Sequence, residues 1–283
     1  MSFRENLSQR FIDKCSVRPL KDSLPALESW YQTDVGQAIL AQEQKILDEE
    51  LSYMFGYHLL QLSISCETKL YSKSRILHCF DVAPSACDDN LNAGMCADFD
   101  ALPLEDESVD VAILHHVLEF STNPHAVLKE AARVTIPKGN IIIFGFNPFS
   151  PIGLIKHFAQ FSSDNPFWKR NSLRRSRVVD WLKLLDCGAK RYWSGFYHLP
   201  INHQRYLMRF QRLDQLWQKW RMPFGNFYCI VAQKDVQCIT PIKPDWEKDQ
   251  LIEGVRIPKR HATASSVARL SLIKSPKREN EER

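Results

Sequence analysis

Apolar positions along the chain keep two rhythms. Over residues 24–55 they recur at helical spacing, with Ile39 and Leu40, Ile46 and Leu47, Leu51, then Met54 and Phe55. Such a stripe lies on one face of a helix, and Gly56 follows where helices commonly stop. The rhythm then changes to short continuous apolar runs at 57–62, 75–82, 109–115 and 140–146, the pattern of strands buried on both faces. Between the last two runs, Val127, Leu128, Ala131, Ala132 and Val134 predict an amphipathic helix. Asn123 is its expected cap, Pro124 sits in its first turn, and Pro137-Lys138-Gly139 is its expected end.

Strand, helix, turn and strand in that order form a β-α-β unit, so the sheet is expected to be mostly parallel with right-handed crossovers. Further along, 176–185 predicts a helix with Val178, Trp181, Leu182 and Leu185 inward, closed by Gly188. Late strands are expected at 192–199 and 227–233, flanking a Trp- and Arg-rich helix at about 203–221. The resulting division is an N-terminal arm at 1–23, a helical extension at 24–56, an α/β domain at 57–237 and a tail at 238–283.

With 283 residues, 44% hydrophobic and 25% charged, the chain can bury one sizeable core. The formal charge of +4 is unevenly placed: residues 256–283 hold eight Lys/Arg against three Glu, leaving the rest close to neutral. That tail is too polar to offset the entropy of ordering it, and is read as a disordered, solubilising segment. A tether for nucleic acid is the sharper alternative. No long apolar run or signal-like N-terminus occurs, so no membrane span and a cytoplasmic location are expected. None of the eight cysteines is spaced as C-x2-C or clustered with His, so reduced thiols and no metal site are expected.

The stretch A-D-F-D-A-L-P-L-E-D-E-S-V-D-V-A-I-L-H-H-V-L-E-F at 97–120 resembles the central signature of type 11 class I methyltransferases. At the expected distance follows A-A-R-V-T-I-P-K-G-N-I-I-I-F-G-F-N-P at 131–148, where that family has a helix ending in R-V-L-x-P-G-G and then strand five. F-G-Y-H-L-L-Q-L at 55–62, F-N-P-F-S-P-I-G-L at 146–154 and F-Y-H-L-P at 196–200 resemble the uncharacterised YafS-type branch of the same superfamily. The likeness spans about residues 30–233. It implies a Rossmann-like α/β fold with about seven strands, helices on both faces, and S-adenosyl-L-methionine as cofactor, leaving S-adenosyl-L-homocysteine as product.

Carried onto this chain, the resemblance gives Asp81, at the end of the second strand, the ribose hydroxyls, which one carboxylate can accept together. A plain turn residue is the alternative for Asp81. Asp98 and Phe99 then bracket the adenine, with a loop cap as the alternative for Asp98. His115 and His116 fall at the end of strand four, where either orients or deprotonates the methyl acceptor, His115 the first choice, or else each packs as a strand-end histidine. Residues 149–167 are expected to form a lid, with Phe158, Phe161, Phe167 and Trp168 available to line it. Lys169, Arg170, Arg174, Arg175 and Arg177 are expected on a solvated helix face.

The chain departs from the family in the first loop. Where the pattern has an apolar strand, an acid and three alternate glycines, this chain has Gln61, Ser63, Ser65 and Glu67. Glycine serves there because the backbone turns sharply against the ligand, and a non-glycine at positive φ costs roughly 1–2 kcal/mol. Two readings follow: a methyltransferase with a remodelled loop acting on an unidentified, small-molecule acceptor, or a methyltransferase-like fold kept for binding or regulation. The first is preferred, because the adenine-side and post-strand-four segments keep the family pattern. Gln61, Ser63 and Ser65 remain the expected cofactor-side residues of that loop. Nucleic acid ranks below a small molecule as acceptor, and oligomeric state is not encoded legibly.

Overall fold

A computed structural model describes residues 20–64, 69–84, 95–162, 165–197 and 224–235. The chain divides into two units, residues 1–238 and 239–283; the second, like the expected helix at 203–221 and the arm at 1–19, lies outside the described residues. Two helices come first, α1 (Leu20–Tyr31) and α2 (Asp34–Leu51). Then follow β1 (His58–Ser63), β2 (His78–Pro84), β3 (Met95–Ala97), β4 (Val109–His115), a short α3 (Val117–Phe120), α4 (Pro124–Val134) and β5 (Thr135–Phe146). The chain continues through α5 (Pro151–Ser162), a 3-10 turn (Pro166–Lys169), α6 (Arg175–Leu184), β6 (Cys187–Gly195) and β7 (Phe227–Lys234).

The seven strands form one sheet in the order β3-β2-β1-β4-β5-β7-β6. β7 alone is antiparallel to its neighbours, and every other pairing is parallel. The apolar runs anticipated this: Leu59, Leu60 and Leu62 of β1, Val111 to Leu114 of β4, Ile141 to Phe144 of β5 and Cys229 to Ala232 of β7 are all essentially inaccessible. Strand order reverses between β1 and β4, where Ser63 and His115 stand in register. In open α/β sheets, ligands bind outside the carboxyl ends of the strands at such a point.

α4 matches its expected form. Asn123 accepts from Ala126 N at 3.3 Å, Pro124 opens the helix, and the five expected apolar residues are buried. Arg133, in the signature's A-A-R-V, ties the β3–β4 loop to this helix by donating to the carbonyls of Leu102 and Leu104 at 3.1 and 2.9 Å.

Four expectations need correction. The single helix expected over 24–55 is two helices, because Thr33 accepts from Gly36 N at 3.2 Å and starts a new one. It also ends at Leu51, and Phe55 is exposed, since its backbone is already on the way to β1. Pro137-Lys138-Gly139 does not stop α4; the helix ends at Val134, and the tripeptide lies inside β5. Lys138 takes a positive φ of 67° there, beside a register irregularity between Val109 and Val111 of β4, so the turn-like residues make an irregularity in the strand. Gly188 likewise lies within β6, which starts at Cys187 instead of Tyr192, because Cys187 to Gly195 pair along β7 with one register irregularity between Ala189 and Arg191.

Gly36 sits where α2 crosses the end of α1, and a Cβ there would stand 2.4 Å from the Trp30 carbonyl oxygen. Gly→Ala within a helix ordinarily stabilises by about 1 kcal/mol. Here the obstacle is backbone, which cannot rotate away, so G36A is expected to lower the unfolding free energy by about 1–3 kcal/mol in urea titration. An increase would show that the helix junction has slack.

Candidate functional site

The helix stripe of α2 carries two acids on its buried face. Ile39, Glu43, Ile46, Leu47, Glu50 and Leu51 are all buried, and the spacing puts Glu43 and Glu50 on the apolar side. Isolated buried carboxylates are costly, so each requires a partner. Glu50 accepts from Trp193 Nε1 at 2.6 Å and pairs with Arg191 Nη2 at 2.7 Å, which docks α2 on β6. Glu43 reaches the carboxyl end of β4 instead.

There its Oε2 lies 3.0 Å from His115 Nε2 and its Oε1 2.8 Å from His116 Nε2, with all three side chains fully enclosed. The second ring nitrogens are engaged too. His115 Nδ1 is 3.3 Å from Ser63 Oγ, and His116 Nδ1 is 3.2 Å from Glu119 Oε2. Glu119 Oε1 also accepts from Phe146 N, and its carbonyl accepts from Asn171 N at 2.7 Å. Three elements therefore converge on one turn. His116 occupies it with φ 58°, a left-handed conformation seldom taken by a residue with a Cβ and maintained only where surroundings over-determine it.

Burial dominates the electrostatics. It would lower the His116 pKa, yet carboxylates on both ring nitrogens override it and hold the imidazole up to about 9. Burial would raise Glu43, but the His116 charge and the two imidazole hydrogen bonds bring it down to about 2. The pKa of His115 is lowered by burial, against the pull of Glu43. Arg170, buried over the rings of Phe146 and Phe167 at 4.5 and 4.4 Å, is lowered by burial to about 10. Trp30 of α1 stacks on Phe167 at 4.1 Å, and His116 stacks on Phe146 at the same distance. Tyr31 closes the group; its pKa is raised by burial and by the charges of Glu43 and Glu119.

The other candidates lie toward β2 and β3. Asp81 sits within β2, in register with Gln61 of β1, and its Oδ1 accepts from the Tyr71 hydroxyl at 3.1 Å. It lines a hollow of about 590 Å³ with Tyr71, Phe80, Met95 and Leu104 that also takes in His58, His78 and Val109, the first residues of β1, β2 and β4, and so lies toward the amino ends of those strands. Just past β3, Asp98 is exposed and Phe99 is buried. Gln61 is buried, and its Oε1 accepts from Leu70 N at 2.9 Å, fastening the chain after β1. Ser63 is buried at the end of β1, and Ser65 and Glu67 lie outside the described residues.

The structure thus unites Ser63, His115 and His116 in one cluster and sets Asp81, Asp98 and Phe99 along the β2–β3 side. Glu43, Tyr31, Glu119 and Arg170 escaped sequence reading. The one available signal was an acid at Glu43 inside the apolar stripe of α2.

The aromatic segment expected as a lid also divides. Phe158 is 79% exposed, whereas Phe167 is core. Lys169 and Arg170 are buried, contrary to a solvated face, because Lys156 donates to the Arg170 carbonyl and draws the segment inward. Arg174, Arg175 and Arg177 are exposed; the first and last, with Phe149, Leu154, His157 and Asp180, line a second hollow of about 630 Å³ beyond β5.

Comparison with known proteins agrees with the fold. Residues 66–143 match a family model described as a methyltransferase domain. The chain is 32% identical over 237 residues to the uncharacterised protein YafS of Escherichia coli K12, covering 81% of this chain and 91% of that one. It is 30% identical over 134 residues to the uncharacterised protein MJ1123 of Methanocaldococcus jannaschii, covering 47% and 60%. A solved S-adenosylmethionine-dependent methyltransferase of Thermotoga maritima superposes with a TM-score of 0.56 at 14% identity, covering 76% of this chain and 97% of that one, a likeness of fold. No helix among the described residues is long and apolar enough to cross a membrane.

Removing one partner from a buried ionic group leaves the others uncompensated, at a typical cost of about 3–5 kcal/mol. E119Q keeps the shape and removes the charge facing His116, so its unfolding free energy in urea is expected to fall by about 3 kcal/mol. K73A, which breaks the exposed pair with Asp48 at 2.7 Å, should cost less than about 1 kcal/mol. Equal losses would contradict the central role of the enclosed cluster.

Proposed function

The chain belongs to the class I S-adenosylmethionine-dependent methyltransferases of type 11, in the YafS branch, and from that membership we propose that it transfers a methyl group to a small-molecule acceptor. One observation carries the proposal. The sheet order reverses between β1 and β4, with Ser63 and His115 in register at the carboxyl edge, and the acid Asp81 lies one strand away on β2, in register with Gln61.

The residues present fit the nucleoside half of the cofactor. Asp81 is a nearly buried carboxylate with Tyr71 holding one oxygen, an acceptor suited to a ribose diol. Asp98 and Phe99, past β3, offer an acceptor and an apolar face for the adenine. Ser63 is the small residue that ends β1, and Gln61, by holding Leu70 N, sets the course of the segment that follows. When bound, S-adenosylmethionine supplies an electrophilic methyl on a sulfonium, a leaving group that needs no acid.

The chain's task is then alignment of an incoming nucleophile, which is worth several kcal/mol of barrier without any covalent chemistry by the protein. We assign His115 and His116 to positioning. Both are enclosed, and every ring nitrogen has a partner, so they hold the β4–α3 turn and with it the floor at the switch point. The second hollow, on the β5 side, is the proposed acceptor side, with Arg174 and Arg177 able to receive an acidic group. A fold retained for binding alone draws on the same enclosed imidazoles, which leave no free base at the end of β4.

Calorimetry with S-adenosylmethionine and S-adenosylhomocysteine tests the assignment. Both are expected to bind, and D81N is expected to weaken each by about tenfold, the value of one charged hydrogen bond. Neither heat nor a melting shift with either nucleoside would overturn it. Binding without methyl transfer to any acceptor mixture would favour the binding reading.

A further inference from the structure

Glu43, His115 and His116 offer one carboxylate oxygen and two imidazole nitrogens that all lie within 4.8 Å of one another. We propose that these three residues, with the Tyr31 hydroxyl as fourth donor, bind a divalent zinc-class cation that clamps the N-terminal helices to the switch point of the sheet.

The donor set and its surroundings both suit such an ion. Two imidazoles and a carboxylate are a common zinc set; the two rings reach opposite oxygens of Glu43 at 3.0 and 2.8 Å, and one donor atom from each residue lies within 4.8 Å of the others, so small side-chain shifts bring them to the spacing of a little over about 3 Å that bonds of about 2.0–2.2 Å require. A ligating histidine usually has its other ring nitrogen beside a carboxylate or another fixed acceptor, and both have one here: His116 Nδ1 lies 3.2 Å from Glu119 Oε2 and His115 Nδ1 3.3 Å from Ser63 Oγ. His116 keeps its place beside Glu43 in a strained backbone conformation with φ 58°.

The Tyr31 hydroxyl supplies an independent observation. It is fully buried and has no hydrogen-bond partner among the described residues, although such groups are nearly always satisfied. Its ring centroid lies 5.8 Å from that of His115 and 6.4 Å from that of His116, and the charges of Glu43, Glu119 and Arg170 all act on it. A fourth ligand position is the environment in which that oxygen acquires a partner.

Bound through Nε2, each imidazole carries its proton on Nδ1, where Glu119 and Ser63 Oγ stand to accept it, and any proton displaced by the dication leaves to solvent. A closed site with no solvent-facing ligand is structural in type, so the ion holds α1 and α2 in place and does not handle substrate.

The full chain, stripped with chelator and checked by circular dichroism, is titrated with Zn2+ and separately with Co2+. One equivalent of zinc is expected to bind and raise the melting temperature, and cobalt is expected to give the visible absorption of a four-coordinate ion. E43Q should abolish both. Because that variant can fail to fold, Y31F serves as the second arm: it removes only an oxygen without a partner, and should keep its fold while losing on the order of tenfold or more in zinc affinity. The proposal is overturned if folded wild-type protein binds no zinc and gives no cobalt absorption, if folded E43Q binds zinc as the wild type does, or if Y31F binds with unchanged affinity.

Discussion

A carboxylate on a helix must meet an imidazole on a strand end for the rest of this molecule to hold together. Glu43 is fully enclosed among apolar residues of α2, a position tolerable only if its charge is compensated there. The compensation comes from His115 and His116, which lie more than seventy positions away in sequence. Glu119 then balances His116 and catches the backbone of Phe146, so α2, β4, α3 and β5 are joined by one chain of hydrogen bonds. No member can be removed without stranding another.

That chain also explains the shape of the switch point. In a doubly wound sheet the reversal of strand order leaves a crevice at the carboxyl edge. Here Ser63 and His115 mark its two sides in register, and α1 adds Tyr31 beside the histidines. The rings of Phe146, Phe167 and Trp168 lie against Arg170, a cation whose burial is offset by ring faces and by Glu119.

Much of the architecture is legible in the order of residues because it rests on local rules. Runs such as Val111 to Leu114 and Ile141 to Phe144 are too apolar to face water on either side, which requires a covered sheet and implies parallel strands. The cap at Asn123 with Pro124 locates α4 to the residue. Where competing local signals met, pairing decided: Gly188 looks like a terminator yet pairs with Gln233 of β7, and Pro137-Lys138-Gly139 falls between the β4 partners Thr135 and Asn140, an irregularity the strand spans. His115 ends β4 as the apolar run predicts, whereas Asp81 lies within β2.

What the sequence by itself determined, then, is the set of elements, the parallel sheet and the family signature, since each depends on neighbours three or four positions apart or on contiguous runs. Only the tertiary structure decided that Glu43 meets His115 and His116, that Arg170 is buried, and that Tyr31 points its hydroxyl among charges. Those contacts join residues far apart along the chain, and their energy arises from removing water around several charges at once, a condition that no local pattern records.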